Sequence, residues 1–402
     1  MIGAPPLRDR QPWIPRTLTH IPAQPLAWFL IALTLLGAVT VIAHFYSLEA
    51  GFLGFVPLSS AGDDRGYWDT ASTLYSGASP PFIQNGYPVF LVALFQLLWR
   101  SLLLGKTVTV LAGALTVYLG VLLANLLHGP SRFTERDLRH PGNVAGLLLT
   151  LYPSLLFYDT QLLRDGLIVL LGVLAVYASL RLVRGGGFWH AALAVVGLGA
   201  CYTLRPYATL SVFIGLVVTV LFTIRFQRGQ RIRVAAILLS FGAFAPLALH
   251  KGLFAINYIG PLLNPTTIQR FRDEAYSVGG SAVGTSLDFT SPLHLLTSYL
   301  YSFITVLAGP FVWQVKAVTQ LVAAPEAIVM LVVSIALVAR LPRIWRQQRS
   351  VLITLVPGLV LMAVVAVFSD NVGANTRLRL LPWTLLAIAF AATSEPNGAR
   401  DA

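Results

Sequence analysis

The side chains of this sequence that are equipped for chemistry fall in five polar segments set between long apolar ones. The first carries Asp63, Asp64, Arg65 and Asp69, followed by the turn-rich Pro80, Pro81, Gln84, Asn85, Gly86, Tyr87 and Pro88. The second, YPSLLFYDTQLLRDG at 152–166, carries Asp159, Arg164 and Asp165; the third, TLRP, carries Arg205. The fourth adds Arg270, Arg272, Asp273, Glu274 and Asp288, and the fifth, FSDNVGANTRLR at 368–379, carries Asp370, Asn371, Asn375, Arg377 and Arg379. An arginine offers a rigid fork of donors that matches phosphate oxygens. A carboxylate beside it can take the proton of an attacking hydroxyl. These types together suit an anionic, phosphate-bearing ligand whose leaving group is already charged. Such chemistry requires no general acid, only cations to steady the growing charge and one carboxylate as base. His44, His250 and His294 lack metal-ligand spacing and read as interfacial or packing residues, and the single cysteine, Cys201, excludes an intramolecular disulfide.

The scaffold for these residues follows from composition. The chain has 402 residues, 56% hydrophobic and 11% charged, with a mean hydropathy of +0.73. A soluble domain carries about 25% charge, so a water-soluble fold is excluded. The net charge of +12 is of the kind that nucleic-acid binders show. Here, however, the basic residues punctuate apolar stretches as the positive-inside rule demands, and no nucleic-acid partner is expected.

Runs of about 20 apolar residues are needed to cross a core about 30 Å thick. Spans are expected at 26–43, 107–127, 143–157, 167–182, 190–204, 207–224, 234–249, 327–339, 351–368 and 380–392. The first follows Arg8, Arg10 and Arg16 and reads as an uncleaved signal anchor. Two further apolar stretches, 86–104 and 295–315, decide the topology. If the first spans and the second does not, the clusters Arg132/Arg136/Arg139, Arg181/Arg184, Arg225/Arg228/Arg231/Arg233 and Arg340/Arg343/Arg346/Arg349 fall outside the cell. If neither spans, all of these lie inside, and the positive-inside rule selects that arrangement. Both stretches then read as juxtamembrane helices on the outer face. The expected protein is all-α and polytopic: one membrane domain over 1–402, with about ten spans, outer loops at 45–106 and 254–326, and no separate soluble domain. All five polar segments share its outer face. Lys106, opening a span, reads as an interfacial anchor.

On this topology the residues resemble the polyprenyl-phosphate-dependent glycosyltransferases of the GT-C superfold, a group that includes protein O-mannosyltransferases, lipid A aminoarabinose transferases and rhizobial lipopolysaccharide glycosyltransferases. The resemblance rests on GDDRGYWDTASTLYSG at 62–77, NGYPVFLVALFQLLW at 85–99, the 152–166 turn, TLRP at 203–206 and NVGANTRLRLLP at 371–382. It implies an inverting membrane enzyme of the bacterial inner (plasma) membrane. Such an enzyme moves a sugar from a polyprenyl-phosphate donor to a glycan, lipid or protein acceptor on the outer, periplasmic side, in cell-envelope polysaccharide biosynthesis. The family's essential acid maps onto Asp63 or Asp64 and its second acidic position onto Asp165, with Asp159 a poorer match. Arg65, Tyr67, Asp159, Arg164, Arg205, Asn371, Arg377 and Arg379 are the expected substrate-binding residues. No resident metal is required, although relatives hold a divalent cation, Mg or Mn, between paired carboxylates, and Asp63 and Asp165 are the pair that would do so. The alternative from the residues is a non-catalytic lipid-linked-sugar transporter or assembly subunit. A transporter places ionisable groups near the middle of its spans, whereas here they sit at one edge.

Overall fold

A computed structural model describes residues 23–55, 62–129, 131, 134–223, 264–277, 287–315, 323–369 and 371–394. Among these the chain is helical, with no strand. In chain order the helices are α1 (Ala23–Glu49), α2 (Asp63–Tyr75), α3 (Tyr87–Leu97), α4 (Leu102–His128), α5 (Pro141–Thr150), α6 (Pro153–Tyr158) and α7 (Asp165–Val183). They continue with α8 (Phe188–Leu204), α9 (Pro206–Thr223), α10 (Pro265–Ser277), α11 (Pro292–Ala308), α12 (Ala324–Gln347), α13 (Leu352–Phe368), α14 (Val372–Leu378) and α15 (Leu380–Ala392).

Five helices, α1, α4, α7, α12 and α13, are long and apolar enough to cross a bilayer; α13 does so together with the residues just before it. α4 is central, packing on α1, α5, α7 and α15. α15 is buried along nearly its whole length. α1 and α12 are peripheral and turn Leu30, Ile31, Val41 and Ile42, and Ile328, Val332, Ile335 and Val338, outward. In water such faces would aggregate; in lipid they are solvated. Association among apolar helices then depends on close approach of small residues. Where α9 meets α13, a Cβ on Gly215 would lie 2.4 Å from Pro357 Cα, so the two backbones touch.

Two expectations change. The span expected at 143–157 is two helices of 10 and 6 residues, α5 and α6, interrupted at Leu151 and Tyr152. Pro153 provides no amide proton and biases Tyr152 away from helical geometry, and Tyr152 has ψ 109°. At about 1.5 Å per residue neither piece alone crosses a bilayer core, but the pair runs from Asn143, beside Gln24 and Asn125, to Asp159, whose carbonyl accepts from Thr109 at the other end of α4, and so crosses as a broken helix. The stretch 295–315, expected as a surface helix, meets the last two turns of α13 through α11. Tyr299 Oη donates to Ala363 O at 3.1 Å and Ser302 Oγ to Ala366 O at 2.7 Å, so the two helices run in the same direction. α3, with 11 residues, is too short to cross and packs on α2. The expected span at 234–249, His250, Asp370, Arg132 and the cluster Arg225/Arg228/Arg231/Arg233 lie outside the described residues.

The bundle has two chemically different ends. At one, Trp28 Nε1 and Gln24 Nε2 donate to Asn143 Oδ1 at 2.8 and 2.9 Å, and Asn125 Nδ2 donates to Gln24 Oε1 at 3.0 Å. Arg184 reaches Leu126 O at 2.6 Å and Arg340 reaches Phe390 O at 3.3 Å at the same end. The basic clusters around Arg139, Arg184 and Arg340 therefore share one end. The beginnings of α2 and α7, the α8–α9 corner and the end of α14 gather at the other.

Candidate functional site

Each element delivers one polar group to this second end, and local sequence explains each delivery. Gly62, at φ 82°, starts α2 in the left-handed conformation that glycine adopts at little cost. Asp63 and Asp64 then occupy the first turn, where the helix dipole favours negative charge. Asp165 begins α7 in the same way. Arg205 precedes Pro206, the first residue of α9. The proline holds Arg205 extended, at φ −153° and ψ 87°, and turns the chain back on itself. Asn371 caps α14 by accepting from Ala374 N at 3.1 Å, which fixes the short helix ending near Arg377.

Arg377 joins the pieces. Its Nε donates to Asp165 Oδ2 and its Nη1 to Asp63 Oδ2. Arg205 Nη2 donates to the other oxygen of Asp165 at 2.6 Å. Asp165 is thus buried with both oxygens engaged. Arg164 donates to Leu204 O at 2.7 Å and lies over the ring of Tyr67, 5.9 Å from its centroid. Tyr67 in turn meets Tyr87 edge to face at 5.2 Å. Gly86, next to Tyr87, donates from its backbone to Thr203 O at 3.0 Å, drawing the first polar segment against the Arg205 corner.

The electrostatics are cationic. Three guanidiniums, of Arg164, Arg205 and Arg377, face two carboxylates, of Asp63 and Asp165. Burial is the largest influence on Arg205 and Arg377 and opposes their charge, but Asp165, the nearby tyrosine hydroxyls and, for Arg377, Asp63 together outweigh it and hold both above their ordinary pKa. Arg164, without such a bond, is lowered by burial. The Nε groups of Arg164 and Arg205 and the Tyr87 hydroxyl are buried without a hydrogen-bond partner. Buried donors left open in this way call for an explanation.

The remaining expected residues are distributed differently. The side chain of Asp63 is 40% exposed, whereas Asp64 is 1% exposed. Asp64 accepts from Arg65 N at 2.8 Å and lies within electrostatic reach of Lys106. Lys106 itself is fully buried and donates to Gly54 O at 2.6 Å, so it is not an interfacial anchor. Arg65 turns to solvent and pairs with Asp69 at 3.9 Å, away from the cluster. Arg379 is buried and paired with Glu326 at 2.9 Å rather than with the cluster. Asp159 is buried between Gly113 and Gly166, and both its carboxyl oxygens lack a partner. Burial first, and Asp165 second, raise its pKa well above the ordinary carboxyl value.

Tyr87 and Glu326 were not among the residues expected from sequence. Tyr87 lies inside NGYP, and Glu326 is an acid at the mouth of an apolar run, APEAIVML; both signals were present but weak. Asp63 and Asp165 do not fit a divalent cation as they stand, because the guanidinium of Arg377 occupies the position between them. No group of three or more His, Cys, Asp or Glu side chains converges among the described residues.

Fold and site together define a helical membrane protein with a buried, net-cationic acid–arginine cluster at one end of its bundle. No family model matches the chain, and no curated protein does.

Proposed function

We propose that the chain is an inverting glycosyltransferase of the GT-C kind, with about ten spans and the cluster on the outer face of the plasma membrane. It transfers a sugar from a polyprenyl-phosphate donor to an envelope acceptor. The observation that carries this reading is the bridge of Arg377 between Asp63, which is reachable from solvent, and Asp165, which is not.

The division of labour follows from exposure. Asp63, partly open, accepts the acceptor hydroxyl's proton as the hydroxyl oxygen attacks the anomeric carbon. The bond from that carbon to the phosphate oxygen breaks, and the electron pair leaves on the phosphate. Arg164, Arg205 and Arg377, held by Asp165 and the surrounding carbonyls, neutralise the departing charge with donors that cost no reorganisation. Tyr67 and Tyr87 supply the flat walls beside them. Asp64 and Arg379 are structural in this reading, and no step passes through a metal.

A second reading has one observation in its favour. Asp165 is already neutralised by two arginines, as a purely structural network in a transporter or assembly subunit would be. One experiment separates the two: purified protein in nanodiscs is given polyprenyl-phosphate sugars and acceptor-bearing envelope extract, with Asp63→Asn beside it. Transfer by the native protein and its loss in Asp63→Asn supports the enzyme. Full transfer by Asp63→Asn, or none by the native chain with any donor, defeats it.

A further inference from the structure

We infer that Glu326 is a positioning residue that locks the turn carrying Asp165 to the helix carrying Arg377. It sits in the first turn of α12, buried, and belongs to no polar segment of the cluster. Its two oxygens face different elements. Oε1 accepts from Arg379 Nη2 at 2.9 Å, and Oε2 accepts from the backbone N of Ser154 at 3.0 Å and from the Ser154 hydroxyl.

The two partners frame the site. Ser154 lies in the first turn of α6, which has no capping side chain of its own, so Glu326 supplies the acceptor that turn lacks. Arg379 ends α14 two residues after Arg377, and its second nitrogen, Nη1, donates to Gly309 O at the end of α11. At the other end of α6, the Tyr158 hydroxyl bonds Thr376 Oγ1 at 2.9 Å and Gly373 O at 3.3 Å, both in α14. α6 is therefore tied to α14 at both of its ends, once through Glu326 and Arg379 and once directly. The chain leaving α6 goes straight to Arg164 and Asp165. Any slip of α6 against α14 would separate Asp165 from Arg377.

The charge on Glu326 makes the tie firm. Removing one member of a buried pair leaves the other uncompensated in a low dielectric, and Arg379 is among the largest fully buried side chains of the described residues. Glutamine at 326 keeps the size but loses the charge. It also puts an NH2 against either the Ser154 donors or the Arg379 guanidinium, and either arrangement opposes donor to donor. Misplacement of about 1 Å at a reacting centre costs about a hundredfold in rate.

The positional claim stands on geometry, while its catalytic consequence rests on the transferase reading. The test therefore reads both. Full-length native protein and Glu326→Gln, in nanodiscs, are labelled with phenylglyoxal, and the rate at each arginine is followed by mass spectrometry alongside sugar transfer. The expected result is a several-fold faster modification of Arg377 and a roughly hundredfold lower turnover, with Arg340 at the far end of the bundle unchanged. Unchanged labelling of Arg377 overturns the inference, whatever happens to transfer. Faster labelling with no transfer by the native protein upholds it and removes the transferase reading instead. If labelling rises at Arg340 as well, the fold has been lost, and Ser154→Ala, which leaves the Glu326–Arg379 pair in place, decides. A selective rise at Arg377 in that variant supports the lock, and none overturns it.

Discussion

Arg377 Nε is bonded to Asp165 Oδ2 across 212 residues of sequence. The same guanidinium holds Asp63 through Nη1, so one side chain sets the spacing between a sealed carboxylate and an open one. Removing it leaves Asp165 buried with Arg205 alone. Arg377→Gln is expected to cost on the order of 3 kcal/mol, as broken buried pairs do, measured by thermal or denaturant unfolding in detergent. Asp63→Asn, at a partly exposed position, should cost less than about 1 kcal/mol. Both variants should lose transfer; equal stability losses would contradict the division between the two acids.

Asp63 and Asp64 should behave oppositely. Asp63→Asn is expected to lower turnover by about a hundredfold or more, the range of a lost general base, with little change in melting. Asp64→Asn removes an acid whose charge acts on the buried Lys106 and is expected to lower the melting temperature while the folded fraction keeps its activity. The paired assay to run is initial rate per folded molecule, and a reversed pattern would assign the base to Asp64.

Asp159 should make stability depend on pH. Its folded pKa lies well above that of an unfolded aspartate, so its stabilising contribution is complete below the unfolded value. That contribution is lost as pH rises through the folded one. Between pH 5 and 8 the native melting temperature should therefore fall relative to that of Asp159→Asn, which carries no such group. Parallel curves would show that Asp159 is ionised in a polar setting.

The contact of α9 with α13 predicts a sharp contrast between two glycines. A Cβ at Gly215 would meet Pro357 Cα at 2.4 Å and Pro357 N at 2.7 Å, and backbone atoms cannot swing aside. Gly215→Ala is expected to destabilise by about 1 to 3 kcal/mol as an overpacked site. Gly199, in α8, has nothing within 4 Å of the same atom, and Gly199→Ala should be neutral or stabilising by up to about 1 kcal/mol. Melting of the two variants side by side is sufficient.

Much of the scaffold was legible along the chain. Apolar runs gave α1, α4, α7, α8, α9, α12, α13 and α15 because burial in lipid leaves the backbone few options but the helix. The Arg-Pro pair at 205 and 206 fixed a corner, since proline constrains both itself and the residue before it. The break at Pro153 was also written in the sequence, but run length alone concealed it.

What the sequence determined by itself is therefore local: which stretches are helices, where they stop, and that acids and arginines gather at the end opposite the basic clusters. Tertiary structure alone decided which of those side chains meet. Neighbouring residues on a helix point about 100° apart, so Asp63 and Asp64 face different surroundings once α2 is docked. Arg377 and Arg379, two residues apart, point to nearly opposite sides, which sends one to Asp165 and the other to Glu326. That rotation is set by packing between segments from 53 to 212 residues apart, and no short-range rule contains it.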